Sequence, residues 1–207
     1  NIYKQGVKKN MIYIVNGAPG SGKDTFCSKV IDITTPNYGI ILSTVDLVKE
    51  IAKDLGWNGE KTPKDRKFLS DLKDILTEWD DIPIKDTERR INDFLYHIRY
   101  HGLDEKEAAI FIMCREPKEI DKMCKRLGAK SLIVRRTDAE NSKKSNHADE
   151  EVLEYQYDIE IDNNGTLLDL TYKALEFVEK EGLHVKHWDN LEIDLFGNLR
   201  YINSRNK

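Results

Sequence analysis

Gly17-Ala18-Pro19-Gly20-Ser21-Gly22-Lys23-Asp24-Thr25 stands directly behind the apolar run Met11-Ile12-Tyr13-Ile14-Val15 and satisfies G-x-x-x-x-G-K at every fixed position. A strand, a glycine-rich loop and a helix in that order bind a nucleoside triphosphate for identifiable reasons. Gly17, Gly20 and Gly22 leave room for backbone amides to turn inward around an anion, and Ser21 is a candidate binding residue among them. The helix that opens near Gly22 adds its unpaired N–H groups and its dipole. Lys23 supplies a point charge for the β- and γ-phosphates, so the implied ligands are ATP and Mg2+. The plain alternative is a glycine-rich turn with its lysine in solvent. The strand before the loop and the helical residues behind it argue against that.

One position departs from the motif. The residue after the lysine is usually Ser or Thr, whose hydroxyl ligates Mg2+; here it is Asp24, followed by Thr25. A carboxylate is a hard-oxygen ligand that can serve Mg2+ directly or through a water. Alternatively, Asp24 caps the helix by accepting a backbone N–H.

Such a loop reports only that a phosphate chain binds, whereas group transfer needs a second pocket. Arg115, in Cys114-Arg115-Glu116-Pro117, falls just past the third strand, at the end of an open α/β sheet where ligands gather. Its guanidinium can grip a phosphate through two parallel N–H bonds. The competing reading is a surface ion pair with Glu116 or Glu119. Arg135-Arg136 closes the fourth strand and opens a polar segment, where it can bring charge to a transferring phosphoryl group. A solvated basic pair beside Asp138 is the alternative. Ser43, Thr44, Asp46 and Arg66 are placed to face a second substrate, although Asp46 can equally cap the helix beside it. The candidate catalytic residues are thus Lys23, Arg115, Arg135 and Arg136, and the candidate metal ligand is Asp24.

The elements that must position these groups alternate. Tyr38 to Thr44 predicts a second buried strand. Val48, Ile51, Ala52 and Leu55 then share one helical face; Leu69, Leu72, Ile75, Leu76 and Trp79 repeat the pattern, as do Ile91, Phe94, Leu95 and Ile98. Turn signals at Gly56-Trp57-Asn58-Gly59 and Asp81-Ile82-Pro83 separate the three helices. That is more than a crossover needs and predicts a helical insertion over residues 45–102. Ala108 to Cys114 predicts a strand, Pro117 to Leu127 a helix ended by Gly128, and Ser131 to Val134 another strand. Residues 135–151 are almost wholly polar, without strand or helix stripe until their end, and are expected to form a short lid. Tyr157 to Ile161 predicts a last strand, Asn163-Asn164-Gly165 a turn, and Thr166 to Lys180 a helix. The expected fold is α/β, a parallel sheet covered by helices on both faces, in one domain over residues 11–180. Residues 181–207 form an extension in which Leu191 to Leu195 and Leu199 to Ile202 suggest a hairpin.

Composition narrows the class. The 207 residues are 39% hydrophobic and 34% charged, as expected of one soluble globular domain. A net charge of -4 offers no pull toward nucleic acid or an anionic membrane. No apolar stretch approaches a membrane span, and the polar, lysine-bearing opening Asn1 to Asn10 resembles no signal peptide and is expected to fray. Cys27, Cys114 and Cys124 lack metal-ligand spacing and make no disulfide framework, which points to a reducing, cytoplasmic setting. The expected partners are small-molecule nucleotides, with a homodimer left open.

In order along the chain, these segments resemble the phage-type deoxynucleoside monophosphate kinases of the P-loop nucleoside monophosphate kinase group. Gly22-Lys23-Asp24-Thr25 is similar to the Gly-Lys-Asp-Thr that ends their P-loop. Val45-Asp46-Leu47-Val48-Lys49-Glu50 resembles their Ala-Asp-Pro-Leu-Lys-Glu, and Arg66-Lys67-Phe68-Leu69-Ser70 their arginine followed by a Leu-Gln pair. Met113 to Glu119 resembles Asp-Val-Arg-x-Pro-x-Glu, His147-Ala148-Asp149-Glu150 a lid His-x-Ser-Glu, and Ile161 to Thr166 their last strand and turn. The resemblance spans residues 11–180. It implies transfer of the ATP γ-phosphoryl group to a (deoxy)nucleoside monophosphate, with Lys23 on the donor and Arg115, Arg66, Ser43 and Asp46 on the acceptor side.

Two positions depart from that family. Its third-strand aspartate, an organiser of Mg2+, is Met113 here, which leaves Asp24, Glu116 or Asp46 to support the metal. Ser70 stands where a glutamine is common, so contacts to the base differ. His147 reads as a solvated loop residue or a bridge from lid to core. His97 and His101 lie one helical turn apart without a third metal ligand. Two further readings stay open: a P-loop kinase for a non-nucleotide acceptor, as in the phosphomevalonate kinases with a Gly-Lys-Asp loop, and an ATP-binding switch protein with slow hydrolysis.

Overall fold

The computed structural model describes residues 11–34, 39–105, 108–141, 153–183, 185 and 191–201, with only the backbone of Arg200 and Tyr201. Asn1 to Asn10, Tyr38, His147 to Glu151 and Ile202, on which some sequence expectations fall, lie outside the described residues.

Five parallel strands are built from short runs of branched and aromatic residues: β1 Met11–Asn16, β2 Gly39–Ser43, β3 Ala109–Met113, β4 Lys130–Arg135 and β5 Ile159–Asp162. Their order across the sheet is β2-β3-β1-β4-β5. Register is fixed by pairs such as Ile14↔Ile112 and Val15↔Met113 on one side of β1 and Val15↔Leu132 on the other. The chain moves first to one side of β1 and then to the other, so the strand order reverses beside β1. Open sheets of this kind bind ligands at the carboxyl ends of the strands at such a reversal.

Because side chains alternate across a strand, β1 feeds two cores. Tyr13 and Val15 join Phe111, Leu132 and Val134 under helices α1 (Lys23–Thr34) and α7 (Leu167–Glu181), through Phe26, Val30, Ala174 and Phe177. Ile12 and Ile14 join Ile110 and Ile112 on the other face, under α4 (Ile82–Tyr100) and α5 (Pro117–Leu127), through Ile84, Ile91, Leu95, Ile98, Ile120 and Met123. Both faces are therefore covered, as the strand-and-helix alternation requires. Among the described residues no helix is long and apolar enough to cross a membrane.

Between β2 and β3 lie α2 (Asp46–Asp54), α3 (Pro63–Asp80) and α4. The α4 helix packs its isoleucines into the sheet core, so it also serves as the crossover helix from β2 to β3. The α2 helix buries Val48 and Ala52 but leaves Leu55 67% exposed. The α3 helix differs more from expectation: Ile75 and Trp79 are 62% and 77% exposed, and the residue it buries is Lys73. A five-residue helix, α6 (Thr137–Asn141), follows β4 in a segment whose composition predicts no helix, and it buries Ala139. The expected C-terminal hairpin is present as antiparallel β6 (Leu191–Ile193) and β7 (Leu199–Tyr201). Lys29 of α1 and the Thr171 hydroxyl of α7 both donate to the Gly197 carbonyl at its tip, at 2.5 and 2.7 Å.

Candidate active site

The glycine-rich loop joins β1 to α1 and folds as its sequence demands. Gly17, Gly20 and Gly22 have φ of 149°, 88° and 88°, a region that side chains disfavour. A Cβ on Gly17 would also lie 2.5 Å from the Val134 carbonyl, and one on Gly22 would overlap the Asn163 side-chain amide. The loop thus lies tight against the ends of β4 and β5. Ser21 N–H donates to the Ala18 carbonyl at 2.9 Å, and the Asn163 amide donates to the Ser21 carbonyl at 2.7 Å. The Ser21 Oγ is buried and has no hydrogen-bond partner among the described residues. A buried hydroxyl without a partner in a glycine-rich loop fits a polar ligand, whereas the Ser21 amide, expected to turn inward, is held by the Ala18 carbonyl.

Lys23, the first residue of α1, has a side chain only 12% exposed, with its Nζ 4.0 Å from the Asp24 carboxylate. Asp24 is 77% exposed, and among the described residues its carboxylate accepts no backbone N–H of α1. Thr25 is exposed beside it. Among the described residues no three His, Cys, Asp or Glu side chains gather into a metal site. Met113 ends β3 in register with Val15 and packs its thioether into the core under α1. Of the sequence candidates for a metal ligand, Glu116 is engaged by Lys73 and Asp46 by the Ser43 N–H, and Asp24 is the exposed carboxylate in the loop. This fits a cation whose other ligands are phosphate oxygens and water.

Across the sheet edge, Arg115 follows β3 and is exposed. It has no hydrogen bond or ion pair among the described residues, although Glu116 is its neighbour and Glu119 lies one helical turn on. Both carboxylates are held by Lys73 of α3, whose Nζ donates to Glu116 Oε1 at 2.6 Å and to Glu119 Oε2 at 2.8 Å. The Lys73 and Glu119 side chains are 9% and 8% exposed. Burial works against the Lys73 ammonium, but Glu119 and Glu116 outweigh it and hold its pKa above the ordinary lysine value. Cys114 Sγ lies 3.4 Å from Glu119 Oε2, and its thiol is pushed up to about 12 by burial and then by that carboxylate.

The remaining candidates sort by what they touch. Arg135 is engaged: its guanidinium reaches Glu160 at 3.3 Å, donates to the Leu153 carbonyl at 2.8 Å and lies 3.8 Å from Glu140. Arg136 is half-buried and has no side-chain partner among the described residues. Asp46 accepts the Ser43 N–H at 2.7 Å and pairs with Lys49 at 3.8 Å, so it closes the β2–α2 corner; the N-cap residue of α2 is Val45. Ser43 accepts the Val45 N–H at 3.4 Å, and Thr44 is buried with its N–H on the Met113 carbonyl. Arg66 lies exposed in the first turn of α3, its Nε on the Lys61 carbonyl at 3.1 Å.

The geometry adds three residues that motif reading passes over. Asn163 braces the phosphate loop, and Lys73 occupies the carboxylates beside Arg115. Tyr157 is half-buried beside Asn16, Cys114 and Arg135, at the carboxyl ends of β1, β3 and β4. Burial, then its neighbour Tyr155, raises its phenol pKa, so the hydroxyl stays protonated. The only local cue to any of the three is Asn163 in its turn signal.

No family model and no curated protein matches the sequence. Among solved structures, the chain is similar to an unliganded sugar kinase from Janibacter sp. HTCC2649, with 17% identity, 82% of this chain and 95% of that one covered, and a TM-score of 0.43. It is similar to TT1252 from Thermus thermophilus at 18% identity, covering 84% and 98% of the two chains, with a TM-score of 0.40. The tunicamycin resistance protein of Deinococcus radiodurans shares 14% identity over 86% and 98%, with a TM-score of 0.42.

Proposed function

We propose that the protein is a kinase that transfers the γ-phosphoryl group of Mg-ATP to a nucleoside or deoxynucleoside monophosphate. The observation that carries this reading is the pairing of a phosphate loop after β1 with Arg115 at the end of the adjacent β3, exposed and without an acidic partner among the described residues. One end of the sheet thus offers two separate phosphate-binding devices, as a donor and an acceptor require.

In this reading the loop amides and Lys23 hold the donor's phosphates, and the buried Ser21 hydroxyl meets an oxygen that completes its hydrogen bonding. Mg2+, when bound with the donor, neutralises charge on the β- and γ-phosphates, and Asp24 is the side chain that would hold it. Arg115 grips the acceptor phosphate and aligns its attacking oxygen, with Tyr157 lining the crevice and Ser43, Asp46 and Arg66 on the insertion side. Arg136 is the arginine of its pair left to meet the transferring group; Arg135 would first have to leave Glu160 and Glu140. No dedicated general base is needed, because alignment and charge stabilisation account for most of the catalysis in phosphoryl transfer.

The test is ADP formation from Mg-ATP with each common NMP and dNMP, beside an acceptor-free control and identification of the diphosphate. Stimulation by one or a few monophosphates, with the matching diphosphate formed, supports the reading. ATP binding with no stimulation by any of them overturns it and leaves a non-nucleotide acceptor or a switch role.

A further inference from the structure

Arg115 has a carboxylate next to it in sequence, Glu116, and another four residues on, Glu119, yet it pairs with neither. Both are held by Lys73, which reaches them from α3 across 43 and 46 residues of sequence. We propose that Lys73 is a positioning residue: by occupying Glu116 and Glu119 it keeps the Arg115 guanidinium available to an anionic substrate. The role of Arg115 as acceptor ligand rests on the kinase reading; the occupation of the two carboxylates does not.

Glu119 is buried, and a buried carboxylate requires a cation or the loss of its charge. Cys114 supplies only a weak thiol contact at 3.4 Å. Without Lys73 the nearest cations along the chain are Arg115, beside Glu116, and the exposed Lys118, beside Glu119; Lys122 is already paired with Asp81. Held there by the backbone, Arg115 meets the two carboxylates at a high effective concentration. A guanidinium turned inward to them is lost to the crevice, and a substrate phosphate would have to displace it. Lys73 also fastens α3 to the β3–α5 corner, beside the ion pairs of α5 with Asp81, through Lys122, and with Glu88, through Arg126.

Lys73→Met alone strands a buried charge and risks unfolding, so the deciding variants are K73M/E119Q and K73M/E116Q/E119Q. The first leaves only Glu116, whose side chain is 53% exposed, to capture Arg115; the second leaves no carboxylate at all. Arg115 availability is read without any substrate, from its rate of modification by phenylglyoxal followed by peptide mass spectrometry. Labelling of Arg115 should slow by about ten-fold in K73M/E119Q and recover in the triple variant, the scale of one charge-assisted hydrogen bond. With the preferred monophosphate, the acceptor KM should rise by about ten-fold in the double variant and recover in the triple, while donor KM stays within about two-fold. A merely structural Lys73 predicts no recovery, because the triple variant removes more of the network. Unchanged labelling in the double variant, or no recovery in the triple, overturns the proposal. If no monophosphate stimulates the wild-type protein, the kinase reading falls and the labelling alone decides the role of Lys73.

Discussion

The side-chain amide of Asn163 donates to the carbonyl of Ser21 at 2.7 Å, joining the end of the last parallel strand to the centre of the phosphate loop 142 residues earlier. Asn163 is 4% exposed, so no water replaces its hydrogen bond when it is removed. Asn163→Ala should therefore leave the Ser21 carbonyl unpaired and cost about 1–3 kcal/mol of stability. It should also loosen the loop, raising the ATP KM several-fold while the acceptor KM stays put. Gly22→Ala should do more damage than Asn163→Ala, because it adds a side chain at φ 88° and drives it into the same amide. Thermal melts together with separate donor and acceptor titrations check both.

That contact also marks what sequence could and could not disclose. The loop itself was legible, because a turned-in backbone demands glycines at positions a few residues apart. The alternation of strands and helices pointed to a sheet covered on both faces, and the apolar run of β1 serves both, Tyr13 and Val15 on one and Ile12 and Ile14 on the other. The face of α4 followed from Ile91, Leu95 and Ile98, whose partner is the apolar sheet. On α3 the same logic failed. The surface that α3 meets includes the carboxylates of Glu116 and Glu119, so Lys73 is buried while Ile75 and Trp79 face outward. Periodicity finds an apolar face only where an apolar layer receives it. The availability of Arg115 was equally hidden, because its local neighbours are acids and their actual partner lies on another helix.

Asp24 is the one carboxylate the described loop offers to a cation, and it stands 4.0 Å from the Lys23 ammonium. The two residues should therefore fail differently. Lys23→Ala should lower turnover by roughly 10²–10³ at any Mg2+ concentration, because it removes charge from the transferring phosphates. Asp24→Ala should shift the Mg2+ concentration needed for half-maximal rate upward while Asp24→Glu retains much of the activity. Removal of Mg2+ by a chelator should abolish turnover in the wild type. Rate measured against free Mg2+ at fixed ATP separates the two; an Asp24→Ala curve superimposable on wild type would remove that residue from metal binding.

Acid should loosen the fold at identifiable places. The Asp162 carboxyl is held below the usual carboxylate range by Lys173, and then by Asn164; Asp81 is held low by Lys122. Burial would raise Asp86, but Arg90 and Arg89 reverse that and hold it low. A folded-state pKa below the unfolded one means the unfolded chain binds protons first as pH falls. The stabilisation from these groups is present above the ordinary carboxylate pKa of about 4 and is lost as pH drops through the lower folded value. Melting temperature should thus stay level from neutral pH to about 5 and fall below about 4. Salt should weaken the contribution of exposed Asp162, and to a lesser degree that of half-buried Asp81, more than that of Asp86, whose side chain is 10% exposed. Lys173→Met should flatten part of the acid limb; an unchanged limb would exclude Asp162.

The three thiols should rank by burial and charge. Cys27 lies in the core between α1 and the sheet, and burial, then the Asp24 carboxylate, pushes its pKa upward. Cys114 is pushed up to about 12, and half-buried Cys124 to about 11, by burial and then by Asp158 and Asp121. The thiolate is the reacting species, so at pH 8 all three should be slow, with Cys124 first because it alone is partly accessible. Cys27 should react only with global unfolding. Cys114 sits beneath the contact between Lys73 and Glu119, so its labelling reports release of α3 from the β3–α5 corner. If that corner opens as a unit of its own, Cys114 should become reactive at a lower urea concentration than Cys27. Coincident labelling of the two would mean that α3 and the sheet unfold together.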